Sequence, residues 1–360
     1  MRSVPARLPI LDAVKAIACQ LIVLHHLAFY GPMSDTAFFL APGLFVWLSQ
    51  YGRMAVQVFF VIAGFLAARH LFSLDADSFP FWKTVGRRYY RLIIPFSAAM
   101  LAAILAAAVA RFFMGDHYSI PAPPSFFQFI LHLLLVQDIF GVNALSAGVW
   151  YIAIDFQLFF VTLLISFLSW RLTKDVSLRF FLCFFLLVCL GLASLFYFNR
   201  DEKWDCSFLY FAAYYIFGIV AYLTVSKAKH RLYIIASISS LVLITILALS
   251  LDFRVRIIVA LCAVLFFIIF FYVKELRNYP QNTWLQYLGQ ISYSIFLIHF
   301  PVCLIINSLF YYWAPDDPSI NFFGLFVAWG SSLLCGALFF HYIERIVFQK
   351  RLFPNRITQR

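Results

Sequence analysis

Four ionisable side chains sit inside one apolar stretch, residues 10–30: Asp12, Lys15, His25 and His26. A run of that length crosses a bilayer as a helix, since about 20 residues rising ~1.5 Å each span the ~30 Å hydrocarbon core. Ionisable groups at membrane depth are costly and normally face a bundle interior or a water-filled cavity. Lys15 and His26 return to one face of the helix within roughly 20° and stand about 16 Å apart along its axis. Asp12 lies roughly 40° from His26 on the same wheel. The expectation is a polar stripe with a cation near one end and an imidazole deep in the membrane. Adjacent histidines cannot both face one neighbour, so one should pack and the other work. Spacing from Lys15 favours His26, because His25 points ~80° away. Neutral imidazole at such a position suits general-base chemistry, whereas Lys15 alone could simply snorkel to the interface.

Three other places carry residues of similar interest. Lys83, Arg87, Arg88 and Arg91 form a basic cluster before Pro95, and Arg88 and Arg91 share a helical face. Guanidinium forks match phosphate oxygens, although juxtamembrane basic clusters usually set topology and bind anionic lipid. Asp155 lies within an apolar run, where pairing with a membrane Lys or Arg competes with a catalytic reading. His299 follows Ser292 by seven positions on one face of another apolar helix, with Pro301 close by. His70, His117, His132 and His230 lie in or near loops, or on a short doubtful helix, and are expected to be structural.

The elements that must hold these groups are membrane spans. A hydrophobic fraction of 64%, only 12% charged residues and 45 Phe exclude an ordinary soluble domain. Apolar windows place spans near 10–30, 54–72, 90–111, 149–170, 178–198, 207–226, 232–250, 255–273, 288–311 and 320–344. The expected fold is all-α, a single polytopic domain over 1–360 with about ten transmembrane helices and no soluble domain. With the N-terminus in the cytoplasm, 21 of the 27 Lys and Arg fall on the inner side. The six outside are Arg53, Arg111, Arg200, Lys203, Arg254 and Arg256. This asymmetry predicts that both termini are cytoplasmic. It also accounts for the net charge of +11 without nucleic acid. The apolar segment 126–139 is short for a span and is expected on the outer face, interfacial or re-entrant. The first span reads as an uncleaved signal anchor. Six of the seven cysteines fall inside apolar stretches, so no disulfide framework is expected.

Taken in order, these motifs resemble the acyltransferase-3 family of bacterial membrane O-acyltransferases. The resemblance rests on Asp12-x-x-Lys15-x10-His26, Val-Phe-Phe-Val-Ile-Ala-Gly-Phe65 and Arg88-x-x-Arg91-Leu-x-x-Pro95. It continues through Trp150-Tyr-Ile-Ala-Ile-Asp155-Phe-Gln157, the stretch Leu288 to Pro301 with Ser292, Tyr293 and His299, and Tyr342-Ile-Glu344-Arg345. Lys15 stands where many members carry Arg, and Asp155-Phe156 replaces a usual pair of glutamates. The family's esterase-like extension is missing, which leaves room for a separate extracytoplasmic partner protein.

The resemblance implies transfer of an acyl group, commonly acetyl, from acyl-CoA in the cytoplasm. The acceptor would be a hydroxyl of a surface or periplasmic glycan or its lipid-linked precursor, and the setting the bacterial inner membrane with its lipid. On that reading His26 is the catalytic base, with Asp12 or Asp155 orienting it or balancing charge. Lys15, Arg88 and Arg91 would meet the donor phosphates, and Ser292 and His299 would contact substrate. No metal is expected. A covalent acyl-histidine relay fits the same residues. Two rivals stand beside this reading: a proton-coupled exporter of a small metabolite or glycan precursor, and an inactive structural member of a glycan-assembly complex.

Overall fold

Backbone buried in lipid must satisfy its own hydrogen bonds, so each long apolar run becomes a helix. The computed structural model describes residues 8–72, 79–226, 231–273 and 282–349, which contain ten helices long and apolar enough to cross a membrane and no strand. They are α1 (Pro9–Phe29), α2 (Ala55–Leu71, the end of the apolar run Pro42–Leu71), α3 (Phe81–Met114), α4 (Val149–Leu172) and α5 (Val176–Phe196). The second half holds α6 (Phe208–Ser226), α7 (Arg231–Leu251), α8 (Val255–Tyr272), α9 (Ser292–Trp313) and α10 (Pro318–Phe339). The chain is a multi-pass, all-helical membrane protein. Arg2, Arg7, Lys227, Lys229, His230, Lys274, Arg277, Lys350, Arg351, Arg356 and Arg360 lie outside the described residues.

Consecutive spans alternate in direction, so α1, α3 and α9 start at one face, which also holds Lys83, Arg87 and Arg91. It is called the basic face below. The segment expected over 90–111 is only part of α3, which extends toward this face by more than two turns. Segment 126–139 yields an eight-residue helix, Phe126–Leu133, capped by a reciprocal Ser125–Gln128 pair. At about 12 Å it is too short to cross.

Between helices the hydrophobic effect supplies little in lipid, so contact depends on small residues and buried polar groups. One of the closest contacts joins α2 and α6. A Cβ on Gly64 would fall 1.8 Å from the carbonyl oxygen of Tyr215, and one on Gly218 would fall 1.9 Å from that of Val61. Both glycines are required by backbone approach. α9 packs against α3 and α10, and the short helix Thr283–Gln290 packs on α1. α5 and α7 stand at the periphery and turn large apolar side chains such as Phe181, Phe185, Leu243 and Ile246 outward, as lipid-facing helices do.

Candidate active site

His26 lies in the last turn of α1 and His25 just before it, so His26 stands near the end of its helix rather than at mid-membrane depth. They part there. His25 is buried and its Nδ1 meets the carbonyl oxygen of Leu48 at 3.0 Å, in the helix Pro42–Tyr51 that precedes α2. His26 turns the other way and meets His299 of α9, with 2.7 Å between His26 Nδ1 and His299 Nε2 and the rings within 6° of parallel. His299 is wholly buried, and its Nδ1 lies 2.7 Å from the carbonyl oxygen of Phe296 and 3.2 Å from that of Ile295.

These distances define the tautomers. A backbone carbonyl only accepts, so Nδ1 of His299 carries the proton and its Nε2 accepts. Nδ1 of His26 therefore donates to His299, and Nε2 of His26 keeps its lone pair. Among the described residues that lone pair has no partner. His26 lines a cavity of about 500 Å³ at the face opposite the basic one, together with Tyr30, Arg53, Trp150, Tyr151 and Asp205. An oriented imidazole with a free basic nitrogen on a cavity wall is what general-base catalysis requires.

The cavity wall is shaped by the segment between the helix Phe126–Leu133 and α4. His132 fixes it: Nδ1 donates to Gln128 O at 2.8 Å, and Nε2 accepts from Leu145 N at 3.3 Å. That is a structural role, and burial lowers the pKa of this imidazole. Gly148 closes the segment with φ +78, and a Cβ there would meet the Phe296 ring at 2.8 Å and His26 at 3.6 Å. Only glycine combines that backbone with so close a neighbour.

Below the cavity a column of polar groups runs toward the basic face. Tyr151 lines the cavity, and Asp155 follows one turn later on α4. Asp155 is 4% exposed and accepts from Arg88 Nη2 at 2.6 Å, while the guanidinium lies over the Phe159 ring at 5.2 Å. Arg88 Nε, Asp155 Oδ1 and the Tyr215 hydroxyl are buried without partners among the described residues. Tyr293 stands within electrostatic reach of Arg88, Asp155 and Glu344. Glu344 ends a single π-helical turn, Phe340–Glu344, and accepts from Ser294 Oγ at 2.5 Å with Arg91 and Lys15 in electrostatic reach. Lys15 closes the column, paired with Asp12 at 2.7 Å.

The residues expected to form the site are thus distributed over two levels. His26 and His299 meet directly. Asp12 stands about 21 Å from His26 along α1 and Asp155 is bound to Arg88, so neither carboxylate contacts His26, and the group that does is His299. His299, expected to contact substrate, is buried behind His26. Ser292 donates to Gly289 O at 2.8 Å, where α9 begins, and lies away from the cavity lining. Arg88 pairs with Asp155, and all three of Arg88, Arg87 and Arg91 lie within electrostatic reach of His70. Glu344, Ser294, Tyr151 and Arg53 were not singled out as site residues. Of these, Glu344 carried a signal, an acid in a conspicuous late motif.

Comparison with protein families matches residues 8–342, nearly the whole described chain, to the acyltransferase-3 model, whose description is an acyltransferase domain. The chain belongs to the acyltransferase-3 family. No match was found among curated proteins or among solved structures. Family membership makes the protein a membrane acyltransferase.

Proposed function

We propose that this acyltransferase carries an acyl group, acetyl in the simplest case, from a coenzyme A thioester at a cytoplasmic basic face to a hydroxyl of an extracytoplasmic glycan or lipid-linked precursor. The reading places the chain in a bacterial inner membrane with both termini inside. The observation that carries it is the His26–His299 pair, which leaves one basic nitrogen on a cavity at the face opposite the cation cluster.

The donor is polyanionic, and Arg87, Arg91 and Lys83 stand where its phosphates would arrive. Guanidinium and ammonium donors bind phosphate with charge-assisted bonds. The extended arm of the donor would then follow the column past Glu344 to Arg88 and Asp155, where the unpartnered Arg88 Nε and Asp155 Oδ1 offer hydrogen bonds to its amides. The acceptor hydroxyl enters the cavity and gives its proton to His26 Nε2 while its oxygen attacks the thioester carbonyl. The carbon–sulfur bond breaks, and the departing thiolate takes the proton back from the imidazolium. His299 holds the tautomer and shares the transient charge.

Detergent-purified protein tests this directly. With methyl glycosides, neutral and anionic, supplied as hydroxyl acceptors, wild type should release free thiol from acetyl-CoA and acetylate the sugar, and His26→Ala, equally folded by circular dichroism, should not. Release by both at equal rates, or by neither, would remove the proposal. Absence of thiol release together with proton-driven solute uptake in vesicles would establish the exporter instead.

A further inference from the structure

We propose that Arg53 is an anchor for an anionic group, carboxylate or phosphate, on the acceptor. The inference deepens the acyl-transfer reading and rests on it.

Of the six cations expected on the outer side, Arg53 alone lines the His26 cavity. Four of the others are committed to the protein. Arg111 donates to Pro121 O at 2.7 Å and Lys203 pairs with Asp201 at 2.6 Å. Arg254 holds Asn199 at 2.5 Å and Asp252 at 3.1 Å, and Arg256 donates to the Tyr210 hydroxyl. Arg200 is exposed at the end of the 3-10 turn Phe198–Arg200 and does not line the cavity. Arg53 makes no hydrogen bond or ion pair among the described residues, and the charge it reaches is that of His25, which offers no anion.

Its position is nonetheless built. Arg53 sits in the turn Gly52–Met54 between the helix Pro42–Tyr51 and α2. A Cβ on Gly52 would lie 3.0 Å from His25 Cβ and 3.2 Å from Leu21 O, so the turn is pressed against α1 beside the base. Asp205 lines the same cavity, yet its charged neighbours are Glu202 and Arg256. The guanidinium, exposed on the cavity wall and paired with no protein anion among the described residues, is therefore free to bind carboxylate or phosphate bidentately through its fork of donors. Trp150, Tyr151 and Tyr30 add flat faces suited to a sugar ring, which makes an acidic sugar the matching acceptor.

The test compares four acceptors with acetyl-CoA and purified protein: methyl glucuronoside, methyl glucoside 6-phosphate, neutral methyl glucoside and cationic methyl glucosaminide. Mass spectrometry counts acetylated product, and thiol release is followed in parallel. Wild type should use at least one anionic sugar about 10–100-fold better in kcat/KM than methyl glucoside, mainly through KM. The two anionic arms tell carboxylate from phosphate. Arg53→Gln should bring that ratio near one, and Arg53→Lys, which keeps charge without the fork, should leave it intermediate. Equal use of neutral and anionic sugars overturns the inference, as does a preference that survives Arg53→Gln, selection of the glucosaminide, or acetylation of none. If thiol release persists in those cases, the acyl-transfer reading stands without Arg53. If wild type releases no thiol, both fall.

Discussion

Substitution of His299 separates an orienting partner from a packing residue. His299 Nε2 accepts the proton on His26 Nδ1 across 2.7 Å, and His299 Nδ1 is itself fixed by Phe296 O. His299→Ala removes the acceptor and frees His26 to hold its proton on Nε2, the tautomer that cannot act as a base. A hydrogen bond to a group that becomes charged contributes about 1.5–3 kcal/mol, or roughly 10–150-fold in rate. General-base catalysis as a whole supplies typically 10²–10⁴-fold, which sets the ceiling. The expected loss therefore lies between about 10-fold and 10⁴-fold in kcat, with KM for acetyl-CoA little changed because the donor cations lie at the other end of the column. His299→Gln places an amide oxygen near the old Nε2 and should recover part of the rate; a purely structural role gives no reason for that rescue. The double variant His26→Ala/His299→Ala should be no slower than His26→Ala alone, since the two act as one unit. The assay is acetyl-CoA thiol release by inserted, monodisperse protein. A His299→Ala enzyme within threefold of wild type, or losses that multiply in the double variant, would refute the reasoning.

Four further outcomes follow from the geometry. In the same assay His25→Ala should keep most of its activity while His26→Ala loses it, because His25 bonds Leu48 O and His26 faces the cavity; the reverse would reassign the base. Arg88→Ala strands the Asp155 carboxylate and should destabilise by about 3–5 kcal/mol, read as a lower melting temperature, whereas Arg88→Met/Asp155→Leu should regain stability without transfer. Gly64→Ala should prevent a stable fold by driving a methyl into Tyr215 O, and a normal yield of folded protein would contradict the α2–α6 contact. Burial pushes the Asp138 carboxyl from its ordinary 3.8 up to about 6, so the native state holds that proton more tightly and loses stability as pH rises from about 4 through 6. Asp138→Asn should therefore raise the melting temperature at pH 7, by at most about 3 kcal/mol in stability, and not at pH 4.

Much of the fold was legible because lipid imposes one rule on the backbone and hydropathy reports it. The ten apolar runs and the polar stripe of α1 follow from composition and the 3.6-residue period. Pairings across the bundle were less so. His26 and His299 are 273 positions apart, and neither carries a sign of which helix the other occupies. Helix adjacency in a membrane is decided by small residues and buried polar bonds, whose partners a single sequence does not name. For the same reason Arg88 read as a surface phosphate ligand, although its long side chain reaches a carboxylate inside the bundle. Arg53 read as an outer loop charge because the cavity it lines is made by the loop before α4 and by α1, α2 and α9. Glu344 was visible as a motif, but its inward aim depends on the π-helical turn that shifts the register at the end of α10.

The ion pair at the centre of the column also weighs between the transferase and exporter readings. Alternating access would require the helices flanking the column to separate in every cycle. Breaking Arg88 from Asp155 in the bundle leaves a buried charge unpaired, at a cost of about 3–5 kcal/mol unless another partner replaces each. The contact between α2 and α6 is equally unsuited to rocking, since Gly64 and Gly218 set the two backbones against each other with no side chain to slide on. A transferase asks less of the bundle. On the proposed reading the donor arm enters beside the Arg88–Asp155 pair and the acceptor hydroxyl comes from the opposite face, so side chains of the column yield locally to the arm while the helices keep their neighbours. A bundle locked by glycine contacts and a central ion pair, with an open cavity above His26, suits group transfer across a membrane better than passage of a solute through it.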